Sequence, residues 1–267
     1  MDSLTQIVLG AAVGEVVLGK KIGNKAMLWG AIAGTIPDLD VYQSLLYDSL
    51  KANELHRGIS HSLLFSICMA PLLAWLARTK EKWSLVGFIT VILAYPFITI
   101  SSSTVSLVLF VVLALVVFFI LRNKYTTENA SQKDWTKLAF WSLVTHPLLD
   151  CHTTWGTQFL WPLPTKFAWN NIFVVDPFYT VPFIIFVALA MFYKRQSKTR
   201  AILNYTGIVI SSAYMLWSLG AKYYTYCIFE QNLQQQEIKY TRLTTVPTPL
   251  NTFLWSATAD GDTVLYS

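Results

Sequence analysis

Three short stretches of the sequence combine histidine with aspartate, the residue types that most often bind divalent metal ions in proteins. They read Pro-Asp-Leu-Asp, His-Arg-Gly-Ile-Ser-His and His-Pro-Leu-Leu-Asp. We interpret their ionisable residues as ligands of one or more divalent metal ions, with zinc as the favoured metal. The six predicted ligands are Asp38, Asp40, His56, His61, His146 and Asp150.

The spacing within each stretch supports this interpretation. Asp38 and Asp40 follow a short apolar segment, so they lie at a helix C-terminus, where the helix dipole favours a cation beside them. His146 and Asp150 are four residues apart and share one face of a helix. Pro147 favours a helix that restarts near His146, and the two side chains converge in either case.

Two further ionisable residues are candidates for a catalytic role. Arg57 lies between two histidines and has the geometry to hold a phosphate or carboxylate group, although an ion pair with Asp38 or Glu54 is an equal alternative. Glu15 lies inside the first apolar segment, where a charge is costly and is often functional. It is either a proton relay beside the metal or the partner of a basic residue.

The elements that position these residues are apolar helices. The 267 residues are 54% hydrophobic and 13% charged, about half of the roughly 25% charged residues of soluble domains. The sequence therefore predicts an all-α membrane protein of about eight helices, several of them short or half-spanning. The apolar segments are Leu4–Gly19, Ala26–Ile36, Ile59–Ala77, Trp83–Ile100, Val105–Leu121, Leu138–Leu149, Phe178–Tyr193 and Ile202–Ala221.

Basic residues indicate how the segments are oriented. When the eight segments are threaded alternately, fourteen of the twenty lysines and arginines fall on one side, which the positive-inside rule makes cytoplasmic. All three histidine and aspartate stretches then open on the opposite side. Because the basic residues flank apolar segments, they predict topology and no nucleic-acid partner. The three cysteines include no Cys-x-x-Cys pair, which argues against a disulfide framework or a thiolate metal site.

The chain divides into a helical membrane domain, residues 1–221, and an extracytoplasmic tail, residues 222–267. The tail contains two strand-like stretches, Thr252–Thr258 and Thr263–Ser267, with Asp260-Gly261 as a turn between them. A lone hairpin is marginally stable in water, so we expect it to pack on the helical body unless the chain is truncated relative to longer relatives.

The opening Met-Asp-Ser-Leu-Thr-Gln and the three stretches together resemble the YdjM-like family of membrane-bound, metal-dependent hydrolases, over about residues 1–220. The resemblance implies a protein of the bacterial inner membrane. Many relatives have a histidine near the start where this chain has Gln6, and Asp2 or Glu15 are the carboxylates available to replace it. The pattern is also distantly similar to zinc-dependent phospholipase C and P1-type nucleases, which implies phosphoester hydrolysis at a centre with two or three metal ions.

The leading hypothesis is a membrane-embedded metal-dependent hydrolase. Its partners would be membrane lipid and a substrate that is a lipid headgroup or another phosphoester. The alternative is a non-enzymatic membrane protein, either a metal or proton transporter or a partner-binding scaffold. A transporter is typically built from paired inverted repeats, and the sequence has no convincing internal repeat. A scaffold would tolerate loss of the histidines.

Overall fold

The computed structural model describes residues 1–100, 102–123, 130–261 and 265–266, and it is dominated by α-helices. A π-helical turn, Glu15–Gly19, joins the first two helices, and 3-10 helices Ile36–Leu45 and Ile59–His61 follow the third and fourth. The α-helices are α1 (Ser3–Gly14), α2 (Lys20–Ile22), α3 (Asn24–Thr35), α4 (Ser49–Leu55), α5 (Leu63–Thr79), α6 (Glu81–Thr99), α7 (Ser103–Arg122), α8 (Gln132–Asp150), α9 (Pro177–Met191) and α10 (Lys198–Gln235).

Four helical stretches in the described part of the chain are long and apolar enough to cross a membrane. A fifth is formed if the α4 and α5 segments, which meet at a 61° bend, count as one broken span. The prediction of an all-α membrane protein with a small β-containing tail is confirmed. The four stretches are Ser3–Ile22, Glu81–Thr99, Ser103–Arg122 and Lys198–Gln235.

The centre of the bundle is formed by α1, α3, α5 and α8. Helices α1 and α3 touch backbone to backbone, because a Cβ atom on Gly10 would lie 2.3 Å from the carbonyl oxygen of Gly30. Such close approach is typical of small residues in membrane helices. Helix α8 packs on the other three and buries Leu138, Leu143 and Val144. This packing brings the end of α3 beside the end of α8.

Helix α8 begins six residues before the predicted apolar segment. Its polar first turn is stabilised by a capping box, in which Ser131 accepts a hydrogen bond from the backbone N–H of Asp134 and the Asp134 carboxylate accepts from the backbone N–H of Ser131. Hydrophobicity alone does not detect such a turn, because its residues are stabilised by capping and by an ion pair between Lys21 and Asp134 at 2.7 Å.

The tail begins later than predicted along the chain, because α10 continues as a helix to Gln235. The predicted boundary between residues 221 and 222 therefore lies inside α10. Its last turns are polar, and glutamine is a good helix former. Three antiparallel strands follow in the order β1-β2-β3. They are β1 (Arg242–Pro247), β2 (Trp255–Asp260) and β3 (Leu265–Tyr266).

The sequence interpretation of the tail missed β1, which pairs with β2 along its whole length. Strand β2 overlaps the predicted Thr252–Thr258. Asp260, predicted as part of the turn, ends β2. Of the predicted second strand, Leu265 and Tyr266 form β3, and residues 263, 264 and 267 lie outside the described residues.

The tail is attached to the helical body at one buried carboxylate. Asp176 caps α9 by accepting from the backbone N–H of Phe178 at 3.0 Å. Its second oxygen accepts from the hydroxyl groups of Thr252, at 2.6 Å, and Tyr214, at 2.9 Å. The segment before β2 is therefore held against the start of α9.

Candidate metal centre

Four of the six predicted ligands converge on one point. Asp38 comes from the 3-10 helix after α3, His61 from the 3-10 helix before α5, and the other two from the last turn of α8. One ligand atom from each residue lies within 4.8 Å of all the others. The four converging residues are Asp38, His61, His146 and Asp150.

Five of the six distances between the four ligand atoms are close to those of a tetrahedral site. The Nε2 atoms of His61 and His146 are 3.1 Å apart. Oδ2 of Asp150 lies 3.3 and 3.4 Å from these two atoms, and Oδ1 of Asp38 lies 3.7 and 3.3 Å from them. Ligands bound tetrahedrally to zinc at its usual bond lengths are about 3.3–3.5 Å apart.

The hydrogen bonds at the Nδ1 atoms of the two imidazole rings determine whether Nδ1 carries a proton. Nδ1 of His146 lies 2.5 Å from the carbonyl oxygen of Gly34, which can only accept, so Nδ1 carries a proton. Nδ1 of His61 lies 3.0 Å from Oγ of Ser60 and 3.3 Å from the carboxylate of Asp40. Because the Ser60 hydroxyl donates to Asp40 at 3.1 Å, it accepts from His61. When both rings are neutral, this tautomer leaves a lone pair on each Nε2 atom, and a cation between the two atoms is then favoured.

One carboxylate oxygen in the cluster also needs a cation. Oδ2 of Asp150 is buried and accepts no hydrogen bond from any residue that the structure describes. Nε of Arg57 lies 3.2 Å away as an ion pair but lacks hydrogen-bond geometry. A buried carboxylate oxygen without a hydrogen bond is costly. The donor set, two imidazole nitrogens and two carboxylate oxygens, therefore fits a divalent metal ion.

The remaining two predicted ligands, Asp40 and His56, are not among the converging residues. A 3-10 helix has three residues per turn, so side chains two positions apart point in different directions, and Asp40 faces away from Asp38. Oδ1 of Asp40 accepts from Nδ1 of His56 at 3.0 Å. Burial raises the pKa of Asp40, but the hydrogen bonds from His56 and His61 outweigh it and hold the pKa below its usual value.

Arg57 is buried, and its partners are neither of those considered from the sequence. Its guanidinium group contacts Asp150 and donates to Oγ1 of Thr153 at 2.6 Å, whereas Glu54 pairs with Lys51. The backbone of Arg57 has a φ of +59°, a strained value for a residue with a side chain. Its N–H donates to Asp40 at 3.0 Å, which ties the strained position to the cluster.

Glu15 is not brought into the cluster. Its carboxylate forms a two-pronged ion pair with Arg200, at 2.7 and 2.5 Å, and both residues are buried. Of the two alternatives for Glu15, the structure shows the pairing with a basic residue. Asp2 is not among the converging residues either; it caps α1 by accepting from the backbone N–H of Thr5.

Gln6 supports the cluster in a way that the sequence did not indicate. Its Nε2 atom donates to Oδ1 of Asp150 at 3.0 Å and to the carbonyl oxygen of His146 at 3.2 Å. The N-terminal amine of Met1 contacts the same Asp150 oxygen. Helix α8 runs unbroken through Pro147, contrary to the predicted restart, and the predicted shared face of His146 and Asp150 is confirmed.

Comparison with known proteins places the chain in a family. The family model described as YdjM inner membrane protein matches residues 1–225, a range that contains all four converging residues and most of the apolar helices. Comparison with curated proteins gave no match. Comparison with solved structures gave no match either. The chain belongs to the YdjM inner membrane protein family, and with its apolar helices it is an integral protein of the inner membrane.

Proposed function

We propose that this protein is a zinc-dependent hydrolase that cleaves phosphoesters of membrane lipids. The observation that carries the proposal is the pair of imidazole Nε2 atoms, 3.1 Å apart, beside the unbonded oxygen of Asp150. Zinc is the favoured ion because nitrogen and oxygen ligands in a four-coordinate arrangement are typical of it. A divalent ion held there would polarise a phosphoryl oxygen and lower the pKa of an attacking water.

Exposure indicates the side from which substrate approaches. The side chains of His61, His146 and Asp150 are fully buried, whereas the Asp38 side chain is 20% exposed. Water and a phosphoester therefore reach the centre past Asp38. Oδ2 of Asp38 accepts from the hydroxyl of Ser3 at 3.1 Å, which holds this entrance ligand in place.

We assign His56 the role of general acid. Its Nδ1 atom donates to Asp40, which orients the ring, and the side chain is 32% exposed. The ring lies beside His61, with centroids 5.9 Å apart. Proton donation to a leaving alkoxide is typical of a histidine oriented by a carboxylate. Asp40 acts here as a positioning residue for both histidines.

Arg57 holds the centre from behind. Because its guanidinium group contacts Asp150 and Thr153 in a buried position, it orients a ligand and is not available to grip a substrate anion. Recognition of the substrate therefore depends on the metal ion and on the surfaces near Asp38. By the charge rule these surfaces face the extracytoplasmic side, where lipid headgroups are available.

Hydrolysis by the purified protein tests the proposal. We expect the zinc-loaded protein in detergent to cleave bis-p-nitrophenyl phosphate and phosphatidylglycerol, to lose activity with a chelator and to regain it with zinc. Asp150→Asn should be inactive, and His152→Ala is the matched control because His152 bonds Asn171 outside the cluster. Activity that survives in Asp150→Asn, or no cleavage of either substrate by zinc-loaded protein, would overturn the proposal.

His56→Ala tests the acid role separately. The variant should keep its zinc and should lose about 100-fold in rate on phosphatidylglycerol, whose leaving group needs a proton. It should lose little on bis-p-nitrophenyl phosphate, whose leaving group departs without one. Equal losses on both substrates would exclude His56 as the acid.

A further inference from the structure

An apolar groove lies on the outside of the bundle between α3, α5 and α6. It encloses 510 Å³, within the range of about 300–1,000 Å³ that is usual for ligand pockets. The lining is apolar except for Lys80 and Ser84 near one end. Its central residues are Trp29, Leu39, Met69, Leu73, Gly87 and Phe88.

The groove reaches the segment that carries the metal centre. Leu39, which lines the groove, lies between Asp38 and Asp40 on the 3-10 helix. Because successive side chains of a 3-10 helix point about 120° apart, Asp38 faces the cluster while Leu39 faces the groove. From Met69 to Lys80 the groove follows α5 for about 16 Å at 1.5 Å per residue. One end of a long apolar ligand would therefore lie near the entrance ligand.

The surroundings of the groove indicate what fills it. Helix α6, which forms its outer wall, has one buried residue, Leu85, among its described residues. The other residues of this apolar helix are exposed or only partly buried, as expected where a membrane protein meets lipid. An apolar groove at this depth is open to hydrocarbon chains and closed to polar solutes. The lipid bilayer would therefore supply both the occupant of the groove and the proposed substrate.

We propose that the groove binds one acyl chain of the substrate and places the attached phosphoester at the metal centre. This inference rests on the proposed function and narrows its substrate class to lipids with a long acyl chain. The chain supplies binding along the groove, and Asp38 marks the side where the headgroup enters. Phosphoesters without a chain use the centre alone.

Gly87 offers a way to close the groove without disturbing the fold. A Cβ atom at Gly87 would meet no described heavy atom within 4 Å, so a larger side chain projects into the open groove. Gly220 on α10 has the same open surroundings but does not line the groove. Both glycines lie inside helices, where replacement improves helix propensity. Gly87→Phe and Gly220→Phe are therefore a matched pair.

Photolabelling tests occupancy directly. The probe is phosphatidylglycerol with a diazirine near the end of one acyl chain, added to zinc-loaded protein in detergent, with labelled residues mapped by mass spectrometry. We expect labels on α5 and α6 residues of the groove, reduced about 10-fold in Gly87→Phe and unchanged in Gly220→Phe. Equal labelling of the two variants would overturn the inference, as would labels spread evenly over α7 and α10.

Kinetics separates this inference from the proposed function. Gly87→Phe should lower kcat/KM for phosphatidylglycerol about 10-fold and leave bis-p-nitrophenyl phosphate cleavage unchanged. Groove labelling without hydrolysis by any variant would refute the hydrolase and leave the groove as a lipid site. Unchanged cleavage of both substrates in Gly87→Phe would refute the groove as a substrate site. A dimer that Gly87→Phe converts to monomer, with labelling constant, would assign the groove to a second copy and overturn the inference.

Discussion

Helix α8 and the hairpin of α6 and α7 differ in how hydrophobicity relates to burial. Helix α7 is the most apolar span of the described chain, yet Ile120 is its one buried residue. Helix α8 begins with charged residues and is not among the candidate spans, yet ten of its nineteen residues are buried. The more apolar element faces outward, and the more polar element forms the interior.

This difference follows from the solvent. Lipid is as apolar as leucine, so membrane helices gain little from hiding apolar side chains from it and associate through small residues and polar contacts. Gly10 and Gly30 let α1 and α3 meet, and Ser142 of α8 donates a hydrogen bond to the carbonyl oxygen of Gly10. The polar interior is where ionisable groups are retained for function. In this protein a helix that is too polar to count as a candidate span carries half of the metal centre.

Removal of a ligand should have the largest effect. In His61→Ala we expect zinc affinity to fall by more than about 100-fold, because ligand loss exceeds the effect of losing a supporting residue. His152→Ala, which removes a histidine just after α8, should bind zinc normally. Zinc titration with metal analysis of the purified proteins makes the comparison. Normal zinc content in His61→Ala would exclude His61 as a zinc ligand.

Loss of the buried ion pair between Glu15 and Arg200 should lower the stability of the fold without changing zinc binding. Arg200→Met leaves Glu15 buried and unpaired, which should cost about 3–5 kcal/mol of folding free energy. Zinc stoichiometry should stay unchanged in the folded fraction. Denaturant unfolding in detergent measures the folding free energy, and metal analysis measures the zinc stoichiometry. The double variant Glu15→Gln/Arg200→Met should regain part of the lost folding free energy. Loss of zinc from folded Arg200→Met would show that the Glu15–Arg200 pair supports the metal centre.

Two leucines compare the interior and the outer hairpin directly. Leu143 on α8 is fully buried, whereas Leu107 on α7 is 63% exposed. Leu143→Ala should destabilise the protein by about 2–5 kcal/mol through the cavity it leaves. Leu107→Ala should change stability by less than about 0.5 kcal/mol. Similar losses in both, measured by the same unfolding assay, would show that α7 packs against protein.

Asp40→Asn should weaken zinc binding less than His61→Ala does. The variant keeps all four converging ligands but weakens the support of His61, so zinc affinity should fall about 10–100-fold, equivalent to about 1.4–2.8 kcal/mol. Competition with a chelator of known affinity measures the change. An effect as large as that of His61→Ala would make Asp40 a ligand.

The parts of the site that were predictable depend on regular local geometry. His146 and Asp150 share a face because an α-helix repeats every 3.6 residues, and this held even through Pro147. Asp38 and Asp40 were grouped because nothing in Pro-Asp-Leu-Asp distinguishes a 3-10 helix from the end of an α-helix. The spacing therefore identified the right stretches and could not decide which residues within them converge.

The sequence does not predict contacts between segments that are distant along the chain. Gln6 and Arg57 both reach Asp150, more than ninety residues away, and no local pattern encodes such a pairing. The apolar segments predicted most of the helices, because hydrophobic length is a direct consequence of bilayer thickness. The polar ends of α8 and α10, stabilised by capping and helix propensity, carried no such signal.

X-ray absorption spectroscopy of the zinc-loaded protein tests the central claim most directly, because it counts the ligands of the ion. We expect four nitrogen or oxygen ligands at about 2.0–2.2 Å, with the scattering of two imidazole rings. His146→Ala should show one ring or no bound zinc, and His152→Ala should match the unchanged protein. A zinc spectrum without imidazole scattering, or one that His146→Ala leaves unchanged, would contradict a centre formed by Asp38, His61, His146 and Asp150.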